Sequence, residues 1–404
     1  MPSVRRSPWV FFYRHDGTFV DVPRLLEGNV ELTPLRRTLA ISILKGEEYV
    51  VSADELALLF AIPSDTWISS DEVATGSSAT LERLARRGLV VTDDADEELT
   101  ELRRRDQRLT DDQWHPYAAL YHFLTRWRDV DVEQLPAWAG ETGTSTRLLN
   151  EADVAELVRR LGTPPRPFAD VAGPHYELPL TRRRGRLYET LARRKTSRAF
   201  DARVPVTGDE LGTVLYYTFG CRGIAEVFGG LVAVKKTSPS GGALHPVEAY
   251  PLIANVEGIA PGLYHYDVES HALRLVETLS RNSARRLARH LTAGQSYFGA
   301  AHVLVVLAAR FPRSFWKYRR HQRAYAVLLM DAGHLSQTFS LVCTELGLGA
   351  FVTAAVNGAN AEERLGLDPT REGVLAIVGC GRASAERSEL EPEFAPFAPR
   401  RADS

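Results

Sequence analysis

The sequence predicts an α+β protein in which a small winged-helix-like module precedes a larger domain of mixed helices and strands. Three observations lead to this fold class. Strand-like apolar runs alternate with helical patterns between residues 177 and 382, and residues 322–346 form one long predicted helix. The chain carries neither G-x-G-x-x-G after a strand nor G-x-x-x-x-G-K-[ST], which argues against a doubly wound nucleotide-binding fold.

The length of 404 residues predicts two or three domains, and an apolar share of 44% is sufficient for a large core. The formal net charge of −2 disfavours non-specific binding to nucleic acid. No signal peptide is recognisable, and the longest apolar runs are far shorter than the ~20 residues of a membrane helix. We therefore expect a cytoplasmic protein with no membrane partner. The spacing of its three cysteines and of its histidines predicts neither a disulfide framework nor a metal site.

Residues 1–110 read as the small module. Apolar positions in 53–62 have helical spacing, and 77–93 reads as a helix that ends at Gly88 and continues into a short strand. Helix, helix and strand in this order are typical of a winged helix. Three roles remain open: a structural appendage, docking of a peptide, and DNA binding, which the acidic stretch 93–101 disfavours.

Three further regions follow the module. Residues 111–175 read as a helical linker region, with an aromatic helical patch at 114–127 and a Pro-rich stretch at 162–168. Residues 176–385 form the larger domain, which begins near Glu177. A Pro-rich tail, 386–404, ends the chain.

The larger domain has a clear order of predicted elements. Gly347 ends the long helix as a C′ glycine, and the apolar character of that helix predicts burial on most faces and suits a dimer interface. The elements, in order, are a helix at 186–194, a strand at 247–256, a hairpin formed by 262–267 and 272–277, a buried strand at 302–309, the long helix at 322–346 and a buried strand at 373–379.

Two loops have compositions that suit ligand binding. The sequence Pro239-Ser240-Gly241-Gly242 has little side-chain bulk, so its backbone could lie against a planar ligand, although an ordinary turn is the alternative. In "RRKTSRAF", Arg194, Thr196 and Arg198 share one face if the segment is extended, and they then form a fork-like set for a phosphate. A solvated basic face is the alternative there. Arg382 follows the last strand, where the chain leaves the sheet.

The segment "FWKYRR", residues 315–320, places Lys317 and Tyr318 beside a second aromatic residue, Trp316. The lysine is either a surface charge near a helix entrance or a base. A lysine can act as a base when burial and neighbouring cations favour its neutral form. We expect Trp316 and Tyr318 to shield it.

Taken in order, these motifs resemble the SagB-type dehydrogenases of the FMN-dependent nitroreductase superfamily. The resemblance covers roughly residues 186–382 and rests on "RRKTSRAF", "SPSGGALHP", "GLYHYD", "FWKY", "DAGH" and "VGCGR". The chain departs from the family pattern at Thr196, Gly241, His245 and Asp331, and the histidine could alter the substrate pocket.

The resemblance implies a homodimer with FMN at the subunit interface, and a reaction that oxidises thiazoline or oxazoline rings in a ribosomally made precursor peptide. Whether a cyclodehydratase must also be bound as a partner stays open. Oxidation removes a proton from the ring carbon next to the carbonyl, for which Lys317 is the base with the help of Tyr318, and a hydride, which the flavin accepts at N5. The implied cofactor-binding residues are Arg194, Thr196, Arg198, Pro239, Ser240, Gly241, Gly242, Thr353, Ala354, Ala355 and Arg382.

Other functions remain open at this point. A protein of the same fold could be a flavin reductase of dehydroamino acids or of nitro or quinone compounds. The chain could also be an inactive scaffold that docks a precursor peptide through residues 1–110. A transcriptional regulator is suggested only by the winged-helix pattern.

Overall fold

A computed structural model of the chain provides the fold. It shows two compact units: the first comprises Met1–Arg126 and Phe311–Ala326, and the second Trp127–Arg310 and Val327–Ser404. The described residues are 2–20, 32–73, 78–134, 151–169, 173–174, 176, 178–179, 183–227, 232–385 and 394.

The boundaries drawn from the sequence for the module, the linker region and the larger domain remain predictions. The predicted domain start at Glu177 lies outside the described residues, as does the Pro-rich tail apart from Phe394.

The first unit combines two antiparallel sheets with short helices. Among the described residues the strand orders are β5–β1–β6 and β2–β3–β4. The elements are β1 (Ser3–Arg6), β2 (Val10–Val20), β3 (Leu32–Ser42), β4 (Glu47–Val51), α1 (Ala53–Ala61), β5 (Ile68–Ser69), α2 (Ser78–Arg86), β6 (Val90–Thr92), α3 (Glu97–Asp111), α4 (Pro116–Thr125) and α9 (Phe311–Tyr318).

Local sequence explains the start of α1 and the end of α2. Ser52 caps α1, because its hydroxyl accepts from the Glu55 backbone while the Glu55 carboxylate accepts from the Ser52 backbone. Gly88 ends α2 with φ = +66°. The two helices and the strand predicted for 53–93 are therefore confirmed, whereas the identity of the unit as a winged helix stays a prediction.

A buried carboxylate connects α3 to β1. The side chain of Asp106 is fully buried, forms an ion pair with Arg5 and accepts a 2.7 Å hydrogen bond from the hydroxyl of Ser7. Burial raises the pKa of Asp106, although both of these partners act in the opposite direction.

The second unit is built on a mixed set of strands and helices. Its first helix, α5, spans Glu151–Leu161. The other elements are α6 (Arg186–Arg193), α7 (Gly208–Phe219), β7 (Gly223–Glu226), β8 (Val232–Lys235), β9 (Val247–Ile253), β10 (Gly262–Asp267), β11 (Ala272–Thr278), α8 (Arg281–Leu291), β12 (Val303–Arg310), α10 (Ala324–Glu345), β13 (Leu348–Thr353), α11 (Gly358–Leu365) and β14 (Glu372–Arg382).

Strands β9–β14 form a six-stranded antiparallel sheet in the order β11–β10–β9–β12–β14–β13, and β7 and β8 pair as a separate two-stranded sheet. Strand β12 is central and pairs with β9 on one edge and β14 on the other. Residues Val303–Ala309 are buried on both faces, which explains their unbroken apolar sequence. The hairpin predicted for β10 and β11 is confirmed.

The long helix α10 ends as predicted, because Gly347 adopts φ = +74° beyond its last turn. Most residues of α10 are buried or half-buried in the single chain, in agreement with the expected burial on most faces. Leu329 and Met330 are 40% and 59% exposed, so part of its apolar surface faces solvent. In the described part of the chain, no helix combines the length and the apolarity required to cross a membrane.

A pair of stacked rings explains the first glycine of "GCGR". Phe298 and Phe351 stack with ring centroids 3.6 Å apart and planes within 8°. Gly379 on β14 lies directly under Phe351, and a Cβ atom there would approach the ring carbon Cζ to 2.4 Å. The glycine therefore permits close packing of the ring on the sheet.

We expect Gly379→Ala to lower the free energy of unfolding by about 1–3 kcal/mol, because the stacked ring cannot move away without overpacking its neighbours. Chemical denaturation monitored by circular dichroism measures this change. Gly208→Ala is the matched control: its nearest non-local atom would be 3.6 Å from the new Cβ, and we expect little change. Equal stability of both variants would contradict the packing argument.

Candidate functional site

The glycine loop, residues 236–246, is fixed by a carboxylate of α10. Asp331 accepts a 2.5 Å hydrogen bond from the Ser240 hydroxyl and a 3.2 Å bond from the Gly241 backbone N–H. Burial raises the pKa of Asp331, and these two hydrogen bonds oppose the shift. The His334 ring also lies 3.2 Å from the Pro239 carbonyl. The loop is therefore held in one conformation rather than being an unsupported turn.

The backbone of the glycine loop is strained. Gly242, Ala243 and His245 have φ values of +62°, +55° and +46°. Left-handed conformations are costly for residues with a Cβ, and strain of this kind often occurs at functional sites. The loop and the β7–β8 hairpin line a cavity of about 670 Å³, with Lys236 among its lining residues.

The arginine segment, residues 194–198, lies beside β13. Thr196 forms a parallel bridge with Ala350 on β13, and the N–H of Ser197 donates to the Ala350 carbonyl at 2.8 Å. Ser197 is buried, whereas Arg194, Thr196 and Arg198 are partly exposed. Lys195 is exposed as well, so the three predicted phosphate ligands are accessible but burial does not alternate along the segment.

A hydrogen-bond network joins Gln295, Tyr297 and the predicted cofactor-binding residues at 353–355. The Gln295 amide donates to the Tyr297 hydroxyl at 2.5 Å and accepts from the Thr353 hydroxyl at 2.9 Å. Burial raises the pKa of Tyr297, and the nearby Arg198 charge opposes the shift. The backbone N–H of Ala355 donates to the Thr353 hydroxyl at 3.1 Å, so this predicted ring-binding amide has an internal partner.

Arg382 is occupied by a protein partner. Its guanidinium donates to both carboxylate oxygens of Glu210 at 2.7 and 2.6 Å and to the Pro205 carbonyl at 3.2 Å. Burial raises the pKa of Glu210, but the Arg382 and Thr207 hydrogen bonds outweigh it and lower the pKa overall. A phosphate at Arg382 would have to compete with this ion pair, so its predicted role gains no support from the geometry.

The strand register separates the predicted cofactor residues. Val247, directly after the glycine loop, pairs with Ala309 near the end of β12. Cys380, two residues before Arg382, pairs with Val303 at the start of β12. At about 3.3 Å per residue, these positions lie roughly 20 Å apart along the strand.

The arginine segment lies at the Arg382 end, because Ala350 pairs with Cys380. In a single chain the sheet therefore does not bring the glycine loop and the arginine segment together.

Lys317 and Tyr318 lie on α9, within the first unit. The Lys317 ammonium is 5.6 Å from the centroid of the Tyr318 ring, and its side chain is exposed. The expected shielding by Trp316 is wrong, because that side chain is itself 57% exposed. Phe311 and Phe315 occupy the buried face of the helix, so its other face carries Trp316 and Lys317.

The chain reaches α9 directly from the sheet. Arg310, the last residue of β12, donates its backbone N–H to the Pro246 carbonyl at 2.9 Å. The helix that carries Lys317 thus begins one residue after a contact with the end of the glycine loop.

The donor chemistry of these residues fits FMN. Guanidinium and hydroxyl groups on the arginine segment suit a phosphate, and the glycine loop suits a planar ring. Sequence reasoning missed the supporting residues Asp331, Gln295 and Glu210. Of these three residues, only Glu210 could have been recognised from the sequence, through the capping-box spacing Thr207-x-x-Glu210.

A family model and two curated relatives match parts of this chain. A model described as the nitroreductase family matches residues 191–382. The trifolitoxin-processing protein TfxB of Rhizobium leguminosarum bv. trifolii is 34% identical over 147 residues, which are 35% of this chain and 38% of the relative. The microcin B17-processing protein McbC of Escherichia coli is 34% identical over 141 residues, which are 34% of this chain and 50% of the relative.

The match therefore spans half or less of these two curated relatives. Among solved structures, the E. coli microcin synthetase McbBCD complex with truncated pro-MccB17 bound aligns with a TM-score of 0.48 at 24% identity, over 69% of this chain and 97% of that chain. The predicted site residues, from Arg194 to Arg382, all fall within the range that the family model matches. The similarity to the nitroreductase family therefore lies in residues 191–382, just under half of this chain.

Proposed function

We propose that this protein is an FMN-dependent dehydrogenase that matures a ribosomally made peptide by oxidising thiazoline or oxazoline rings to thiazole or oxazole. The family match carries the proposal, because it contains every predicted cofactor residue together with Lys317 and Tyr318. The two curated relatives are by name processing proteins for trifolitoxin and microcin B17, which supports a peptide substrate.

The arginine segment would hold the phosphate of FMN, and the glycine loop would lie along its ring. Because the two lie at opposite ends of β12, farther apart than one FMN molecule spans, we propose that each flavin is bound by the arginine segment of one copy and the glycine loop of a second. The exposed apolar side chains of Leu329 and Met330 on α10 support such a homodimer.

Lys317 would take the proton from the ring carbon next to the carbonyl, with its neutral Nζ as the acceptor. When bound, FMN supplies the hydride acceptor, its N5 atom. Tyr318 would position the substrate or assist the proton transfer. The position of both residues within the range that the family model matches supports this assignment.

An anaerobic single-turnover assay tests the whole proposal. The purified protein, loaded with FMN, is mixed with an azoline peptide, and each molecule of product should lose two hydrogens as one flavin is bleached. Flavin that is reduced by NADH and reoxidised by nitro or quinone compounds, with no azoline product, would favour a reductase. Colourless protein that cannot be reconstituted would favour the precursor-docking scaffold.

The N-terminal unit offers a surface for the leader of the precursor peptide. Phe60 and Trp67 are exposed, and both precede the short edge strand β5 in the sequence. The guanidinium of Arg5 lies 5.2 Å from the Trp67 ring, and that of Arg6 lies 5.3 Å from the Phe60 ring. We propose that the leader adds a strand at β5 and contacts these two aromatic side chains.

Replacing Lys317 tests the base. We expect Lys317→Ala to retain FMN but to lower the single-turnover rate by about 10²–10⁴-fold, the usual cost of losing a general base. Lys317→Arg should not restore the rate, because a guanidinium stays charged. Arg319→Ala, in the same turn and with an exposed side chain, is the control. A wild-type rate for Lys317→Ala would show that this lysine is a surface charge and not the base.

Replacing Arg198 tests the phosphate site. A charge-assisted hydrogen bond contributes about 1.5–3 kcal/mol, so Arg198→Ala should weaken FMN binding at least about tenfold. Titration of the apoprotein with FMN, followed by flavin fluorescence, measures the dissociation constant. Arg193→Ala is the matched control, since that side chain is exposed and lies 3.6 Å from Glu345. Unchanged FMN binding by Arg198→Ala would show that Arg198 is not part of the phosphate site.

Replacing Trp67 tests leader docking. A central aromatic contact typically costs at least 2 kcal/mol when truncated, so Trp67→Ala should weaken leader binding by about 30-fold. The probe is a fluorescently labelled leader segment of a candidate precursor peptide, and its binding is followed by anisotropy. Tyr13→Ala serves as the control, because Tyr13 follows Phe12 on β2 and so points to the opposite face. Identical affinities of the two variants would disprove docking at β5.

A further inference from the structure

An aromatic cluster in the first unit surrounds the buried face of α9. We propose that this aromatic anchor orients Lys317 and Tyr318, so that its members are positioning residues for the proton transfer. The inference rests on the proposed role of Lys317 as the base. The anchor comprises Trp114, His122, Phe311, Phe315 and Tyr325.

Trp114 is the centre of the anchor. Its ring centroid lies 4.6 Å from that of Phe311 and 4.8 Å from that of Phe315, with interplanar angles of 64° and 80°. All three side chains are buried. Edge-on contacts of this geometry are favourable beyond the area that they bury, and they restrict the rotation of each ring.

A second contact holds the segment that follows α9. The ring nitrogen Nδ1 of His122 lies 3.0 Å from the hydroxyl of Tyr325, at the start of α10. The His122 ring also lies 4.9 Å from Phe311, edge to face. Because His122 belongs to α4, both ends of the chain that carries Lys317 are held by the same helix.

The turn after α9 is also held. Arg320 donates its backbone N–H to the Gln113 carbonyl at 2.8 Å. Both residues adopt left-handed backbone conformations, with φ values of +51° and +59°. Such conformations persist in residues with a Cβ where the surrounding structure enforces them. The chain is therefore fixed two residues after Tyr318.

Because Lys317 is part of α9, contacts that fix the helix also fix the direction of the lysine side chain. Phe311 and Phe315 are four residues apart and share one face, and Lys317 is two residues further, on the opposite face. Rotation of α9 about its axis would move the long lysine side chain more than the backbone. A misplacement of about 1 Å can cost 10²-fold in rate, so loss of the anchor should reduce proton transfer without affecting FMN.

Exchange and rate measurements on the full-length, FMN-loaded chain test the proposal. We expect Trp114→Ala to accelerate hydrogen exchange of peptide 311–320 at least tenfold and to lower the single-turnover rate about 10–100-fold, with FMN content unchanged. Tyr325→Phe, which removes only the hydroxyl, should give a smaller effect in the same direction and provides a result if Trp114→Ala does not fold. Tyr117→Ala is the control, because this α4 side chain is 63% exposed.

A double-mutant cycle separates positioning from general damage. In the Lys317→Ala background, Trp114→Ala or Tyr325→Phe should cause no further loss of rate, because the group that it positions is absent. An equal loss in both backgrounds, or unchanged exchange of peptide 311–320, would overturn the proposal. If Lys317→Ala itself keeps the wild-type rate, the proposed base is wrong, whereas the exchange experiment still decides whether the anchor orders α9.

Discussion

Strand β12 is buried along almost its whole length, so its backbone groups depend on partner strands along both edges. This requirement fixes β9 and β14 beside it, and thereby fixes three segments that the sequence singles out. The glycine loop leads into β9, α9 follows the last residue of β12, and "GCGR" ends β14. The antiparallel register then decides which of them share an end of the sheet.

Carboxylates on helices hold the segments that surround this sheet. Asp331 on α10 fixes the glycine loop, and Glu345, fourteen residues further along the same helix, accepts a 2.5 Å hydrogen bond from Thr190 on α6. Glu210 at the start of α7 holds Arg382. These acids are attached to regular elements, so they give defined positions to segments that have few backbone partners of their own.

Much of this fold could be predicted from local patterns. Strands β12 and β14 have unbroken apolar sequences, the β10–β11 hairpin alternates, and Gly347 marks the end of α10. Each of these signals lies within a few residues of the element that it specifies.

The remaining features depend on contacts that are distant in sequence. Nothing near Phe311 indicates that it packs against Trp114, about two hundred residues earlier, so the sequence could not decide between an exposed and a shielded Lys317. The ion pair between Arg382 and Glu210 could not be predicted for the same reason, because the two residues are distant in sequence. Asp331 was recognised only as a departure from a family pattern, because its partner Ser240 lies on a different element.

The left-handed residues of the glycine loop have a consequence for its evolution. Ala243 and His245 occupy conformations in which glycine is more stable, so simple stabilising substitutions are available at both positions. Glycine there would remove the strain but would also give the loop other conformations to populate. A sequence selected for stability alone would be expected to acquire these glycines. The chain instead carries Ala243 and His245 at these positions, which is the result expected if selection has maintained one fixed loop shape.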